Sequence, residues 1–515
     1  MSSILTNSSA MVALQTLKSI NSNLESTQAE ISTGKSVGSA KDNSAVWAIS
    51  KVMEADVNGF NAISDSLSLG ESTVAVARQA SETVTDLLTQ MKGKIVAAQE
   101  ENVDREKIQT DISALRDQIS SVVGAAQFNG LNMVKGTEDV NILSSLDRSS
   151  AGGVTASNIT VARQDLSTDA GVYGNGGTDL SGNIDILTGN ATIDSSAAAR
   201  DLDLTFAGVA TDDIDITVGG TSLTETWDTD IGTTIDSLAD SINALGLTGI
   251  SAVSDGSGVL TLTNTNSFDD TAITFDPGAT NTVAVTNNGD SSEDAVAAAG
   301  SGTATLKYRA EDIAMSTTAQ VNEGDSYRVS VNGSNYDYIA GKGETMEDIA
   351  KGLKTAIDGG NETGVSTKVV QNETSGAWTV QVDYDGSDAT AGATMALAVN
   401  GEDGGTASGG MFGLDNIDVT TDAGASAALG NIETMINTSI DSSAAFGSAE
   451  GRIETQSNFI GKLTDSLKTG IGSLVDADME AASAKLQALQ VQQQLGTQAL
   501  SIANQAPQNV LSLFR

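Results

Sequence analysis

The stretch VWAISKVMEADVNGFNAISDSLSLGESTVAVARQASETVTDLLTQMKGKI, from Val46 to Ile95, decides the fold. Apolar residues recur along it in alternating steps of three and four: Val46, Ile49, Met53, Phe60, Ile63, Leu67, Val74, Ala77, Val84, Leu88, Met91 and Ile95. Only Asp56, Gly70 and Ser81 break the ladder. That spacing is the seam of a packed helix. At 1.5 Å per residue, a helix of about 50 residues is roughly 75 Å long, several times the ordinary globular mean. A further ladder, Ile108, Ile112, Leu115, Ile119 and Val122, follows a short polar stretch around Glu100–Asp104. The pair predicts two antiparallel helices, closed by a turn at AQFNG (Ala126–Gly130).

The same alternation extends to both ends of the chain. Leu14, Leu17, Asn21, Leu24, Gln28 and Ile31 form a seam that Gly34 and Gly38 interrupt. Near the C-terminus the ladder runs from Leu429 through Ile436, Phe446, Ile453, Ile460 and Leu467 to Leu474. Its register shifts near Asp476–Asp478, and Leu495, Ala499, Ile502 and Ala506 carry a last helix with Pro507 near its end, before VLSLFR. A helical bundle is the plainer reading of such ladders. These terminal seams are small-residue-rich and dotted with polar residues, so alone they are marginal in water. They are expected to bury themselves against other copies of the chain. The candidate polymerisation seams are Leu14, Leu17, Leu24, Ile31, Leu495, Ala499, Ile502 and Leu513.

Between the ends, from about Thr137 to Ala428, the composition turns to Gly, Thr, Ser, Asp and Val in short alternating runs. Runs such as DIDITVGG and YRVSVNGS read as strands closed by turns. IDITVGGTSLTETW, TTIDSLADSINAL and ISAVSDGSGVLTLTN make one unit, and YRVSVNGSNYDYI, ETMEDIAKGLKTAI and VSTKVVQNETSGAWTVQVD make a second. Both read as hairpin, helix, hairpin, with Ile235, Leu238 and Ile242 or Ile349, Leu353 and Ile357 on the apolar helix face. The fold class is therefore mixed. Both chain ends build a long helical coiled coil and bundle with a small β portion, around a central β-rich α+β insert of two repeated modules.

Composition removes most chemistry. The 515 residues include no Cys and no His, which excludes disulfide scaffolds, thiolate nucleophiles, Cys/His zinc sites and Ser-His-Asp triads. Lys and Arg total 26 against 67 Asp and Glu, a net charge of −41. Such a chain repels nucleic acid and anionic lipid, which demand a basic face. Carboxylate pairs occur at Asp212–Asp213 and at Asp476 and Asp478, but nothing in the sequence forms a pocket around them. The run DDIDIT lacks the spacing of a calcium loop, and GKSVGS (Gly34–Ser39) lacks the upstream Gly of a phosphate loop. Neither an enzyme nor a cofactor or metal is expected. No apolar run approaches a membrane span. The first residues show neither the basic nor the apolar region of a cleaved leader, so export, if it occurs, uses a route without one.

The ends also carry a resemblance. ILTNSSAMVALQTLKSINSNL, then STGKSVGSAKDNSAVWAIS (Ser32–Ser50, with Ser39, Ala40, Lys41 and Asp42), is similar to the start of bacterial flagellins. Gln127, Phe128, Asn129 and Gly130 resemble the turn that closes that family's first helical hairpin. VDADME, with Asp476 and Asp478, and IANQAPQNVLSLFR (Ile502–Arg515) resemble its C-terminus. The resemblance covers roughly residues 1–170 and 425–515 and implies a secreted subunit of the bacterial flagellum. Such a subunit leaves by type III export and self-assembles into the filament used for motility. It implies an inner coiled-coil layer from residues 1–40 and 472–515 and a helical-bundle domain with a hairpin from 41–188 and 402–471. Two outward modules follow at 189–305 and 306–401. Implied partners are further copies, an export chaperone, and the hook-associated junction and cap proteins. A junction protein of the same superfamily, or a surface adhesin or surface-layer protein, is the alternative. Flagellins read by an innate Toll-like receptor carry a stretch resembling L-Q-R-V-R-E-L-A. The matching LTQMKGKIVA (Leu88–Ala97) has Gln90, Gly93 and Lys94 where Arg, Glu and Leu stand, which implies weak or no recognition. Ser473 likewise stands where the family has Arg.

Overall fold

The computed structural model describes residues 7–148, 153–187, 192–195, 200–209, 212–227, 230–287, 297–298, 301–388 and 393–512. Its α-helices are α1 (Ser8–Thr33), α2 (Ser44–Ala98), α3 (Arg105–Ala125), α4 (Ile231–Ala244), α5 (Met346–Gly360), α6 (Asp422–Val475) and α7 (Met479–Ser512). The chain divides into two compact units, one of Met1–Ser72, Val140–Val161 and Ser448–Arg515, the other of Thr73–Asp139 and Ala162–Gly447.

In the first unit α1 pairs with α7. Asn7 begins α1, accepting from the Ala10 amide at 3.0 Å, and Gly34 ends it in the left-handed conformation that glycine tolerates best. The hairpin Val140–Arg148/Val154–Val161 lies on the early part of α2, and Gln456 of α6 donates to the Ser144 carbonyl at 2.9 Å. This hairpin accounts for the break at Gly70 in the apolar ladder. A Cβ there would stand 2.7 Å from the Ile142 side chain, and one at Gly59 would stand 3.0 Å from Leu146. The two glycines let a strand approach where larger side chains would hold it off.

The second unit contains the rest of the ladder. Val74, Val84, Leu88, Met91 and Ile95 are wholly buried, each such burial stabilising by about 1.5–3 kcal/mol. α3 folds back on α2, with Lys94 donating to Asp111 at 2.6 Å. Buried Ser81 fits against α6: Ser439 donates to its carbonyl at 3.0 Å and accepts from Thr85 at 2.9 Å. Gln109 of α3 clamps the segment ahead of α6, donating to the Ile417 carbonyl and accepting from the Val419 amide.

The insert contains two copies of one topology, each longer than the hairpin–helix–hairpin legible in the sequence. The first runs strand Asp201–Ala207, hairpin Asp213–Val218/Thr221–Thr226, α4, hairpin Ile250–Ser254/Val259–Asn264, strand Thr271–Asp276. The second runs strand Glu311–Met315, hairpin Ser326–Val331/Ser334–Ile339, α5, hairpin Val365–Gln371/Trp378–Tyr384, strand Thr394–Glu402. In both, the leading strand pairs with the second hairpin and the trailing strand with the first, giving two sheets around one helix. Ile235, Leu238 and Ile242 in one, and Ile349, Leu353 and Ile357 in the other, are buried in separate cores.

One border differs from expectation. Ile184–Ile186 pairs with Glu311–Met315, and Thr192–Asp194 pairs with Thr394–Glu402. Ile184 and Ile193 are thereby buried in the second module's core, not in the bundle and first module as a border at 188/189 implies. Strand pairing across more than a hundred residues leaves no local signature. At the module junction Arg200 and Glu311, each 4% exposed, form an ion pair at 2.6 Å. Arg309 makes a two-pronged pair with Asp383 at 2.7 Å for both bonds.

Candidate assembly surface

The α1–α7 pair is antiparallel. Asn7 bonds the Ala503 carbonyl, Gln493 donates to Asn21 at 2.8 Å, and Lys35 bridges Asp476. The covered face of α1 runs Ala10, Ala13, Leu17, Ile20, Leu24, Thr27 and Ile31, a regular heptad stripe. Ile20 and Thr27 are its buried members. The covered face of α7 runs Ala482, Leu486, Leu489, Gln493, Gly496, Leu500 and Ala503. Gly496 sits where a Cβ would come within 3.2 Å of Leu17, so the helices close tightly there. These seams therefore have a partner in their own chain, contrary to expectation.

The predicted seam residues fall into two groups. Leu17, Leu24 and Ile31 line the covered stripe, half-buried. Leu14 does not: it is 54% exposed, beside exposed Met11 and Val12. On α7, Leu495 is 58% and Ile502 69% exposed, with Ala499 and Val491 also turned outward. Leu513 lies outside the described residues. The α7 stripe facing α1 is thus displaced from the predicted one, and Ala482, Leu489 and Gln493 were missed because Ala, Gln and Gly dilute the pattern. α7 carries a second apolar row facing water, Val491, Leu495, Ala499 and Ile502, and α1 a shorter outward patch of Met11, Val12 and Leu14 at its start; exposed apolar surface of this kind marks association surfaces. Most of the exposed large apolar side chains among the described residues lie in this unit.

The motif residues of the ends cap and turn the chain. Asp42 accepts from the Ser39 amide at 2.9 Å, its hydroxyl at 3.0 Å and the Gly38 amide at 3.2 Å. The Ser39 amide, then its hydroxyl, hold the Asp42 carboxyl below its ordinary range. Ala40 and Lys41 are exposed in that turn. Opposite, Ser36 donates to the Val475 carbonyl at 2.7 Å and Ala477 to that of Gly34 at 2.9 Å. Asp478 accepts from the Glu480 and Ala481 amides at 3.0 and 3.1 Å, capping α7. Ser473 donates to the Gly470 carbonyl within α6.

In the second unit Gln127 pairs with Asn132 and Phe128 with Leu131, around Asn129 and Gly130. Both turn residues have positive φ, 51° and 82°, the tight hairpin turn that Asn-Gly favours. Gln90, Gly93 and Lys94 share one exposed face of α2; a Cβ on Gly93 would meet nothing within 4 Å.

The acidic stretches are engaged in the fold. Asp213, Asp215, Asp203 and Asp201 accept from Thr226, Thr224, Thr261 and Thr263 across neighbouring strands, and Asp212 accepts from Thr280. Among the described residues no three acidic groups converge as a cation site, and no helix is long and apolar enough to cross a membrane.

The family model described as the bacterial flagellin N-terminal helical region matches residues 4–139, and that of the C-terminal helical region matches 429–514. Flagellin A of Rhizobium meliloti is 31% identical over 520 residues, covering 100% of both chains. Flagellin FljO of Caulobacter vibrioides is 38% identical over 229 residues, covering 42% of this chain and 84% of that one. Flagellar hook associated protein-3 from Legionella pneumophila covers 82% of this chain and 98% of its own, at 8% identity and a TM-score of 0.31.

Proposed function

The chain belongs to the bacterial flagellin family and is a secreted subunit of the extracellular flagellar filament, and we propose that it enters that filament through the outward apolar residues at the start of α1 and along α7. The observation that carries this is the pairing geometry: one stripe on each helix is covered within the chain, while Met11, Leu14, Leu495 and Ile502 face water. Burying those residues against neighbouring copies supplies the motility filament with its lateral cohesion. By the same reading the terminal segments assigned to 1–40 and 472–515 are the part of the chain that builds the core of the filament. Sedimentation and electron microscopy of purified subunit, seeded with filament fragments, test this. Seeded growth is expected from the native chain, and equal growth after charging the outward residues overturns the reading.

The same reading makes the protein structural, without catalysis: family membership and the absence of Cys and His support it. Its partners beyond itself are an export chaperone, the junction proteins at the hook and the cap protein. End-to-end coverage by flagellins supports a filament subunit over a junction protein or an adhesin. Gln90, Gly93 and Lys94, exposed on α2, make it a weak ligand for the innate receptor.

A further inference from the structure

The second module closes its own apolar core, with Ile349, Leu353 and Ile357 of α5 turned into its sheets. The opposite face of α5 meets α6 through polar groups. Lys354 donates to Asp358 at 2.5 Å and to the Asn431 side-chain oxygen at 2.8 Å. The Asn431 amide in turn donates to the same Asp358 carboxylate at 3.1 Å, whose other oxygen accepts from Thr367. One α6 side chain thus bridges both halves of an ion pair on α5. All three groups are largely withdrawn from water: the Lys354 and Asp358 side chains are 13% and 6% exposed, and Asn431 is 6% exposed.

The module is also held elsewhere: Lys342 donates to Asp139 at 2.5 Å, and Ser408 and Ile339 exchange hydrogen bonds at 3.0 and 3.3 Å. Two chain segments enter and leave it side by side, bridged at Val172–Thr406 and Asp179–Glu402. Gly171, Gly177 and Gly404 in these segments sit at positive φ. Tyr338 packs on Phe412 at 5.9 Å between ring centres, but apolar contact is non-directional. Hydrogen bonds weaken steeply with angle, and those to charged groups are the stronger ones. We propose that Asn431 is a positioning residue, the centre of a polar latch that fixes the angle at which the second module stands on α6.

The absence of cysteine makes the test clean. Spin labels on Ser375→Cys and Asp441→Cys, both exposed, report the module-to-α6 distance, while hydrogen exchange of α5 reports whether the module stays folded. Asn431→Leu leaves the Lys354–Asp358 pair intact within α5. It is expected to widen the distance distribution about twofold with α5 protection unchanged. Lys354→Met leaves the Asn431–Asp358 bond in place and is expected to widen it less, and the double variant no further than Asn431→Leu alone, because that change already removes both links. An unaltered distribution in Asn431→Leu overturns the proposal. So does widening that appears only together with loss of α5 protection, or two single effects that simply add.

Discussion

The Asn7 side chain donates a hydrogen bond to the carbonyl of Ala503, 496 residues further along, at 2.8 Å. The same side chain accepts from the Ala10 amide and so starts α1. One residue thus begins the first helix and ties it to the last.

The covered and the outward apolar surfaces of the terminal helices make separable predictions. Ile20→Asp places a charge in the covered stripe and is expected to lower helix content, because an unpaired buried charge is costly. Leu495→Asp with Ile502→Asp charges only the outward stripe. It is expected to keep the circular dichroism of the native chain yet yield no sedimentable polymer. Normal filaments from that pair of changes refute the assembly surface.

Gly70→Ala and Gly93→Ala, both within α2, are expected to act with opposite sign. The added methyl at Gly70 meets Ile142 at 2.7 Å, an overpacking that costs about 1–3 kcal/mol. At Gly93 it meets nothing, and helix propensity alone adds about 1 kcal/mol of stability. Paired denaturant titrations check both, and the same sign in the two would be inconsistent with hairpin packing on α2.

Glu344 sets a pH dependence. Burial raises its carboxyl from 4.5 to about 7, with Asp348 adding to the rise, against the stabilising Gly341 amide and Tyr338 hydroxyl. Because the folded state holds this proton more tightly than the unfolded one, its contribution is fully present below pH 4.5. It declines through about pH 7, at up to about 1.4 kcal/mol per pH unit. Thermal unfolding from pH 4 to 8 should show that decline, and Glu344→Gln should remove its part of the slope while leaving the remainder.

The strand pairing also fixes where the insert can be excised. Deleting residues 179–402 joins positions already linked, since the Asp403 amide donates to the Thr178 carbonyl at 3.2 Å. That variant is expected to be exported and to form thinner filaments. Deleting 190–400 instead leaves Ile184–Ile186 without its partner strand and is expected to aggregate. Electron microscopy of the two separates them.

Receptor activation by monomer is expected to be weak. Arg offers a planar fork of donors that uncharged Gln90 lacks, and losing such an anchor and an apolar plug costs about 2 kcal/mol or more each at a hot spot. A reporter-cell titration reads it. Gln90→Arg, Gly93→Glu and Lys94→Leu together should raise the response, and strong activation by the unaltered monomer contradicts it.

What was legible in the sequence followed contrast. The α2 ladder from Ile63 to Ile95 alternates large apolar residues with polar ones, and that face is the buried one. In α7 the face toward α1 interleaves Leu486, Leu489 and Leu500 with Ala482, Gln493, Gly496 and Ala503, while Leu495 and Ile502 turn outward. Two apolar stripes of similar strength thus lie on one helix, and hydrophobicity alone does not tell which of them meets α1. The hairpin–helix–hairpin repeat stood out because it is local. Its flanking strands, and the strands at Ile184–Ile186 and Thr192–Asp194, find their partners only through distant pairing. Asn431 carried no signal, since an amide in a helix is unremarkable until Lys354 and Asp358 lie against it.

The pairing of α1 with α7 also gives the chain a way of registering its own completeness. A chain emerging N-terminus first exposes α1 long before α7. At synthesis rates of about 5–20 residues per second, the interval is on the order of tens of seconds. Over that interval the stripe of Leu17, Ile20, Leu24 and Ile31 has no cis partner, and helices of its length are marginal alone. A chain broken off anywhere before Met479 never gains one. Closure of the terminal pair therefore requires both ends of one chain, and a fragment without α7 keeps the covered stripe of α1 open.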